Sequence, residues 1–246
     1  MNKLAIVAFA LLLFFSAMLW YLANGSLNEY LKSQIELQGH YYSGQTTTLE
    51  LADFSANNRT ALFKQLNVHN LNNYKAQHVL TIDEAKVELS ANQQHLLTKI
   101  TNITINKLTL NIEQNVDGNK NTAQLSELIS VKLANDYPEL YPAISAKIYA
   151  EKNPALNAVE YVKNHPQAGQ IIAHKKQKKK RGKAQQKIMI AAINIKTLEL
   201  NTTQGDVSHS IQKHNVNIYT IGGKEGYILN QMGGEILLHL LNLAKA

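Results

Sequence analysis

Ile100 to Asn111 reads ITNITINKLTLN, and Ile190 to Asn201 reads IAAINIKTLELN at an offset of 90 residues. Ile100, Ile103, Ile105, Leu108, Leu110 and Asn111 recur as Ile190, Ile193, Ile195, Leu198, Leu200 and Asn201. Apolar residues alternating with Thr, Asn and Lys mark strands buried on one face. In both copies the apolar set changes parity between the isoleucine pair and the leucine pair. A bulge or kink is therefore expected, because one extra residue turns the following side chains to the other face. Two copies fall short of the three or so repeats a solenoid needs, so the pattern predicts similar strands used twice in one sheet.

Working outward, the Thr, Ile, Val and Leu texture predicts strands over Gln45–Phe54, Leu62–His69, His78–Ser90 and Thr98–Gln114. Asn57-Asn58, Asn70 to Asn73 and Asn92 to Gln94 supply turn formers, so neighbouring strands can pair antiparallel. A second hairpin is expected, with Val207–Thr220 returning along Lys187–Thr202 across the turn around Gln204-Gly205-Asp206. Helical spacing appears in three places. Leu27, Tyr30, Leu31, Gln34, Ile35 and Gln38 form one face of a short amphipathic helix ending at Gly39, expected to pack on the sheet. Its lack of excess basic residues argues against a membrane-surface role. Ala123–Ala134 places Leu125, Leu128, Ile129 and Leu133 on one face after the Asp117-Gly118 turn, and Ile228 to Leu241 is apolar over more than one face.

Leu4 to Ala23 is twenty residues without a charge, about 30 Å as a helix and so long enough to cross a bilayer core. Lys3 precedes it, and Trp20 and Tyr21 close it, as expected of a cytoplasmic N-terminus and an extracytoplasmic remainder. A cleavable signal competes with this reading. Its disadvantages are the length of the apolar stretch and the poor cleavage site Ala23-Asn24-Gly25. The chain has no cysteine, which excludes disulfide scaffolds and thiolate metal sites.

The net charge of +7 is matched by the seven cations of Lys175 to Lys183 (KKQKKKRGK), leaving the rest of the chain neutral. A nucleic-acid footprint spread over a face of the fold is thereby disfavoured. The run is read as a solvated loop, with contact to anionic lipid head groups or lipopolysaccharide phosphates as the sharper alternative. It closes a partly ordered insertion over residues 135–186, which holds all four prolines. No G-x-S-x-G, phosphate loop or dinucleotide fingerprint occurs. His209 and His214 would lie on opposite faces of a strand, and the adjacent Asp83 and Glu84 would point apart. No catalytic, cofactor-binding or metal-binding residue is assigned, lipid-binding residues are not assigned either, and a non-enzymatic role is expected.

The anchor, LTIDEAKVELS (Leu80–Ser90), ITNITINKLTLN and DGNKNTAQL (Asp117–Leu125) together resemble the N-terminal region of the AsmA-like family of bacterial envelope proteins. IAAINIKTLELN, YTIGGKEG (Tyr219–Gly226) and the terminal helix are similar to its small anchored members. The resemblance implies a curved antiparallel groove, held at the inner membrane and facing the periplasm, with a role in outer-membrane homeostasis and in lipid handling.

The expected architecture is α+β: an N-terminal transmembrane helix, a curved, mostly antiparallel, groove-like sheet of six to eight strands, and a C-terminal helix. Residues 1–25 form the anchor, 26–134 a first β block with flanking helices, 135–186 the insertion, and 187–246 the second hairpin and terminal helix. Residues 26–246 are expected to make one periplasmic domain. Two functions follow as expectations. One is binding of phospholipid, lipopolysaccharide or other apolar chains in the groove. The other is a structural or assembly role in which a sheet edge or the C-terminal helix docks an envelope protein. A face filled by helices favours the second. No nucleic-acid partner and no cofactor is expected.

Overall fold

The computed structural model describes residues 27–91, 96–152 and 186–245. Helix α1 spans residues 27–43. The meander β1 (Thr47–Ser55), β2 (Thr60–His69), β3 (His78–Leu89) and β4 (Leu97–Gln114) follows, then α2 (Asn121–Asp136) and α3 (Pro142–Lys152). After them come β5 (Lys187–Gln204), β6 (Val207–Ile221), the short β7 (Tyr227–Ile228) and α4 (Leu229–Asn242), with a 3-10 turn at Leu243–Lys245. The fold is α+β, and its single seven-stranded sheet runs β1-β2-β3-β4-β5-β6, with β7 pairing the start of β5. The expected span at residues 4–23 and the basic run Lys175–Lys183 lie outside the described residues. Among the described residues no helix is long and apolar enough to cross a membrane.

The 90-residue repeat is realised as adjacency. β4 and β5 lie side by side and parallel, and every pair from Leu97↔Lys187 to Gln114↔Gln204 keeps the same offset; every other neighbouring pair is antiparallel. Like therefore sits beside like. Ile103 flanks Ile193 and Leu108 flanks Leu198 on the buried face. On the opposite face Asn201 Nδ2 donates to Asn111 Oδ1 at 3.1 Å, and Lys107 Nζ meets Glu199 at 2.7 Å. Matched β-branched and polar pairs are the stabilising unit of a sheet.

The parity change takes a different form from an inserted residue. Ile82↔Leu108 and Ala85↔Ile105 keep one register, so no residue is added between them. Instead the ladder is interrupted along one row that crosses the sheet, at Glu50, Gln65, Asp83, Asn106, Lys196 and Asn215. Gln65 (φ 52) and Asn215 (φ 55) are left-handed there. Because neighbouring strands change parity in the same row, each keeps its apolar set inward and the register is unchanged across the row; the register shifts lie elsewhere, at Val68/His69 and Glu88/Leu89. Here the row is called a seam.

α1 covers the β1 edge, as an exposed edge requires. Asn28 Oδ1 accepts from the Phe54 N–H at 3.0 Å, Glu36 Oε1 accepts from the Leu49 N–H at 2.8 Å, and Lys32 Nζ donates to the Glu50 carbonyl at 3.4 Å. The helix does not stop at Gly39. That residue is buried in the helix, where an added Cβ would lie 2.5 Å from Thr47 Cγ2, so its smallness serves close approach to β1. Termination comes at Gly44, left-handed at φ 67, whose N–H bonds to the His40 carbonyl at 2.8 Å. Gly39→Ala is accordingly expected to lower stability by about 1–3 kcal/mol, overriding the roughly 1 kcal/mol gain in helix propensity. Urea denaturation measures the balance, and a stabilised variant would show that Thr47 yields freely.

α2 extends the expected Ala123–Ala134 helix by two residues at each end. Leu125, Ile129 and Leu133 are buried, but Leu128, placed on the same face by the sequence, is 49% exposed. The buried row advances by four residues per turn, which leaves Leu128 on its flank. α4 brings Met232, Leu237, Leu240 and Leu241 into the same core as the strand leucines and isoleucines. Gly234 makes that approach possible, since a Cβ there would come within 2.9 Å of Tyr42 and Leu133.

Candidate functional site

The inner face of the sheet is occupied by the protein's own helices. Ile105, Leu108, Leu110, Ile190, Ile193 and Ile195 are at most 2% exposed, in one cluster with the buried leucines of α2 and α4. Burial stops abruptly one strand later. Leu198 stands opposite Lys213 and Leu200 opposite Ile211, yet Ile211 is 54% exposed and Val207 57%. Of the residues of β6 only Ile221 is buried.

β6 forms one end of the sheet and, among the described residues, pairs with β5 alone. From Val207 to His214 it is matched residue for residue with Thr197 to Gln204, an unbroken stretch that ends where Asn215 enters the seam. Val207, Ile211 and Lys213 share the face that carries Leu198 and Leu200, while Ser208, Ser210, Gln212 and His214 share the other. The strand has no carboxylate, and Lys213 is its one formal charge. Its free backbone groups and the two uncovered aliphatic side chains make it the candidate site. Water bonds such an exposed edge in the isolated chain, and another extended backbone is the partner that can replace it along the whole row of N–H and C=O groups.

The residues weighed from the sequence fall elsewhere. His209 and His214 pair with Thr202 and Thr197, on opposite faces as expected. Asp83 and Glu84 do not point apart. They sit at the seam between inward Ile82 and Ala85, so both face outward. Glu84 accepts from Asn106 Nδ2 at 2.6 Å and lies 3.8 Å from Lys64 Nζ. Among the described residues no group of three His, Asp or Glu side chains is placed to hold a metal ion.

Two buried polar clusters were invisible in the sequence. Glu113 accepts from Asn70 Nδ2 at 3.0 Å and from the Lys75 and Ala76 N–H groups at 2.7 Å each. Asn121 completes this knot, accepting from the Glu113 N–H at 2.9 Å and donating to Asn70 Oδ1 at 3.0 Å. It ties the β2–β3 loop and the end of β4 to the start of α2. In the second cluster the Tyr141 hydroxyl donates to the buried Glu235 carboxylate and accepts from Gln231 Nε2 at 3.2 Å, and burial together with that carboxylate pushes the Tyr141 pKa up. Burial and the adjacent Asp136 raise Tyr41 to about 12. The tyrosines stay protonated at physiological pH and act as donors that fasten helices.

A cleft of about 350 Å³ lies between α2, α3 and α4, with Ser126, Ser130, Lys147 and Asn242 among its lining. Lys147 is flanked there by Glu127 at 3.7 Å and Glu151 at 3.9 Å. Its charge is already answered locally. No known family matches the chain, and no curated protein or solved structure matches it either.

Proposed function

We propose that the protein is a non-enzymatic, inner-membrane-anchored envelope protein of AsmA-like architecture, and that its periplasmic domain docks a partner protein by strand addition to β6. The apolar span at residues 4–23 supplies the anchor, and the segments quoted above carry the resemblance. The register shifts at Val68/His69 and Glu88/Leu89 are irregularities of the kind that bend strands, which supports a curved sheet. Between the two readings left by the sequence, the filled inner face weighs for docking over lipid storage. Leu108 and Leu198, in the middle of the repeated strands, are at most 1% exposed, and the helices against them belong to the chain itself.

The single observation that carries docking is the unbroken run Val207–His214, whose outer edge has no strand partner among the described residues. Its occupant is an extended segment of another envelope protein, with apolar side chains beside Val207 and Ile211 and uncharged polar ones beside Ser208, Ser210 and Gln212. Hydrocarbon chains could cover the aliphatic side chains but leave the backbone groups unbonded.

A photoreactive side chain placed at each position from 207 to 214 of the full-length protein in cells tests this reading. One envelope protein should be captured, with efficiency alternating along the strand as side chains alternate faces. Adducts with phospholipid in place of protein would move the function to lipid handling. Adducts between two copies would make β6 a self-association edge, and no adduct at any β6 position would remove docking.

A further inference from the structure

The face of α1 turned away from the sheet carries a stripe of exposed Leu and Tyr side chains, and we infer that it rests on the membrane surface, fixing the domain with its β1 edge toward the bilayer and β6 away from it. The inference rests on the reading of residues 4–23 as a membrane span. Asn28, Lys32 and Glu36, each one turn apart, face the β1 backbone. At about 100° per residue, Gln34 shares an arc of roughly 80°, centred opposite that side, with Leu27, Tyr30, Leu37 and Tyr41. The last four are 37%, 57%, 56% and 43% exposed. A helix already docked on one side leaves such a stripe to water only at a cost, which a second apolar surface removes.

The occupant follows from the chain that precedes the helix. Only Asn24, Gly25 and Ser26 separate the last residue of the span from Leu27. Four Cα steps reach at most about 14 Å, so the first turn of α1 stays within about that distance of the bilayer core. Tyrosine and leucine are the side chains that favour this depth, the ring covering the apolar boundary and the hydroxyl reaching polar groups. One cation belongs to the same surface. Lys132 Nζ lies 4.0 Å from the centre of the Tyr41 ring, and the Tyr41 hydroxyl is held by Asp136 at 2.9 Å. Ser33, His40 and then Glu29 border the stripe on one side, and Asp136 stands at its Tyr41 end. The sequence argument against a surface helix counted basic residues, but a helix tethered within reach of the bilayer needs no electrostatic recruitment.

β6 lies at the opposite end of the sheet order from β1. A membrane-seated α1 therefore turns the docking strand toward the periplasm.

The chain has no cysteine and a single tryptophan, Trp20 within the span, so two reporters can be read separately. The full-length protein is placed in vesicles of phosphatidylethanolamine and phosphatidylglycerol that carry lipids spin-labelled at the head group. Leu37→Cys, Tyr30→Cys and, as a distant control, Ser208→Cys each carry a fluorophore. The expected result is quenching at positions 30 and 37 at least as strong as that of Trp20, with position 208 unquenched. Quenched Trp20 with unquenched labels at 30 and 37 would overturn the inference and leave the anchor standing. Loss of Trp20 quenching as well would remove the anchor reading. Disulfide-linked dimers of unlabelled Leu37→Cys, formed without lipid quenching, would assign the stripe to a second copy and overturn the membrane contact.

Discussion

Leu108→Asp and Leu198→Asp are each expected to cost more than about 4 kcal/mol, enough to unfold a domain of ordinary stability. The two leucines are neighbours in the parallel β4–β5 ladder and are at most 1% exposed. A carboxylate at either place would be forced among isoleucines and leucines of both sheet and helices. Lys213, opposite Leu198 on the same face, makes Leu198→Asp the milder change, whereas at Leu108 the adjacent Lys107 is turned to the other face and pairs with Glu199 at 2.7 Å. There the charged form loses its hydration without a partner, and the neutral form still leaves polar atoms unbonded. Circular dichroism melting of the two variants is the measurement. Melting near the wild-type temperature for both would mean that the leucines face water and that the filled inner face is wrong, which would also reopen the groove to lipid.

Glu113→Ala should cost about 3 kcal/mol, because it strands buried donors that now share one carboxylate. Asn70 Nδ2 and the Lys75 and Ala76 N–H groups would lose their acceptor together. Glu113→Gln, which keeps the shape but replaces one acceptor with an NH2 group, should cost less. Urea denaturation gives the free energies. Hydrogen exchange at Lys75 and Ala76 should accelerate most, since those amides depend on the side chain directly. A loss under about 0.5 kcal/mol for the alanine variant would show that the loop finds other acceptors or water.

Much of the sheet was legible because its information is periodic and local. The strands read from alternation match β1 to β4 within about two residues at each end, and the turn at Gln204–Asp206 joins β5 and β6 as expected. The repeat pointed to similar strands used twice in one sheet, but that the two copies lie side by side across 90 residues came only with the structure. What escaped was set by partners remote in the chain. Asn70 reads as a turn former, yet its amide is buried against Glu113 and Asn121. Gly39 reads as a helix stop until Thr47 is placed beside it. Asp83 and Glu84 read as alternating because the seam belongs to the whole sheet and no single strand announces it. The open edge was legible only as a possibility, since exposure of Ile211 depends on what fails to cover it.

The parallel union of β4 and β5 also dictates the order in which the molecule can be assembled. β1 to β4 complete their hairpins from contacts close in sequence, whereas each β4 residue waits for a partner 90 residues further along. Loop closure over that distance comes last and slowly. Until then the growing chain displays the far edge of β4 as a long unpaired template. The strand that fits it carries the same apolar spacing in every copy of the protein, so a neighbour's β5 is as good a mate as its own. Exchange of β5, β6 and α4 between two nascent chains is thus the error to which this topology is most prone, and a crowded site of synthesis is where it would arise.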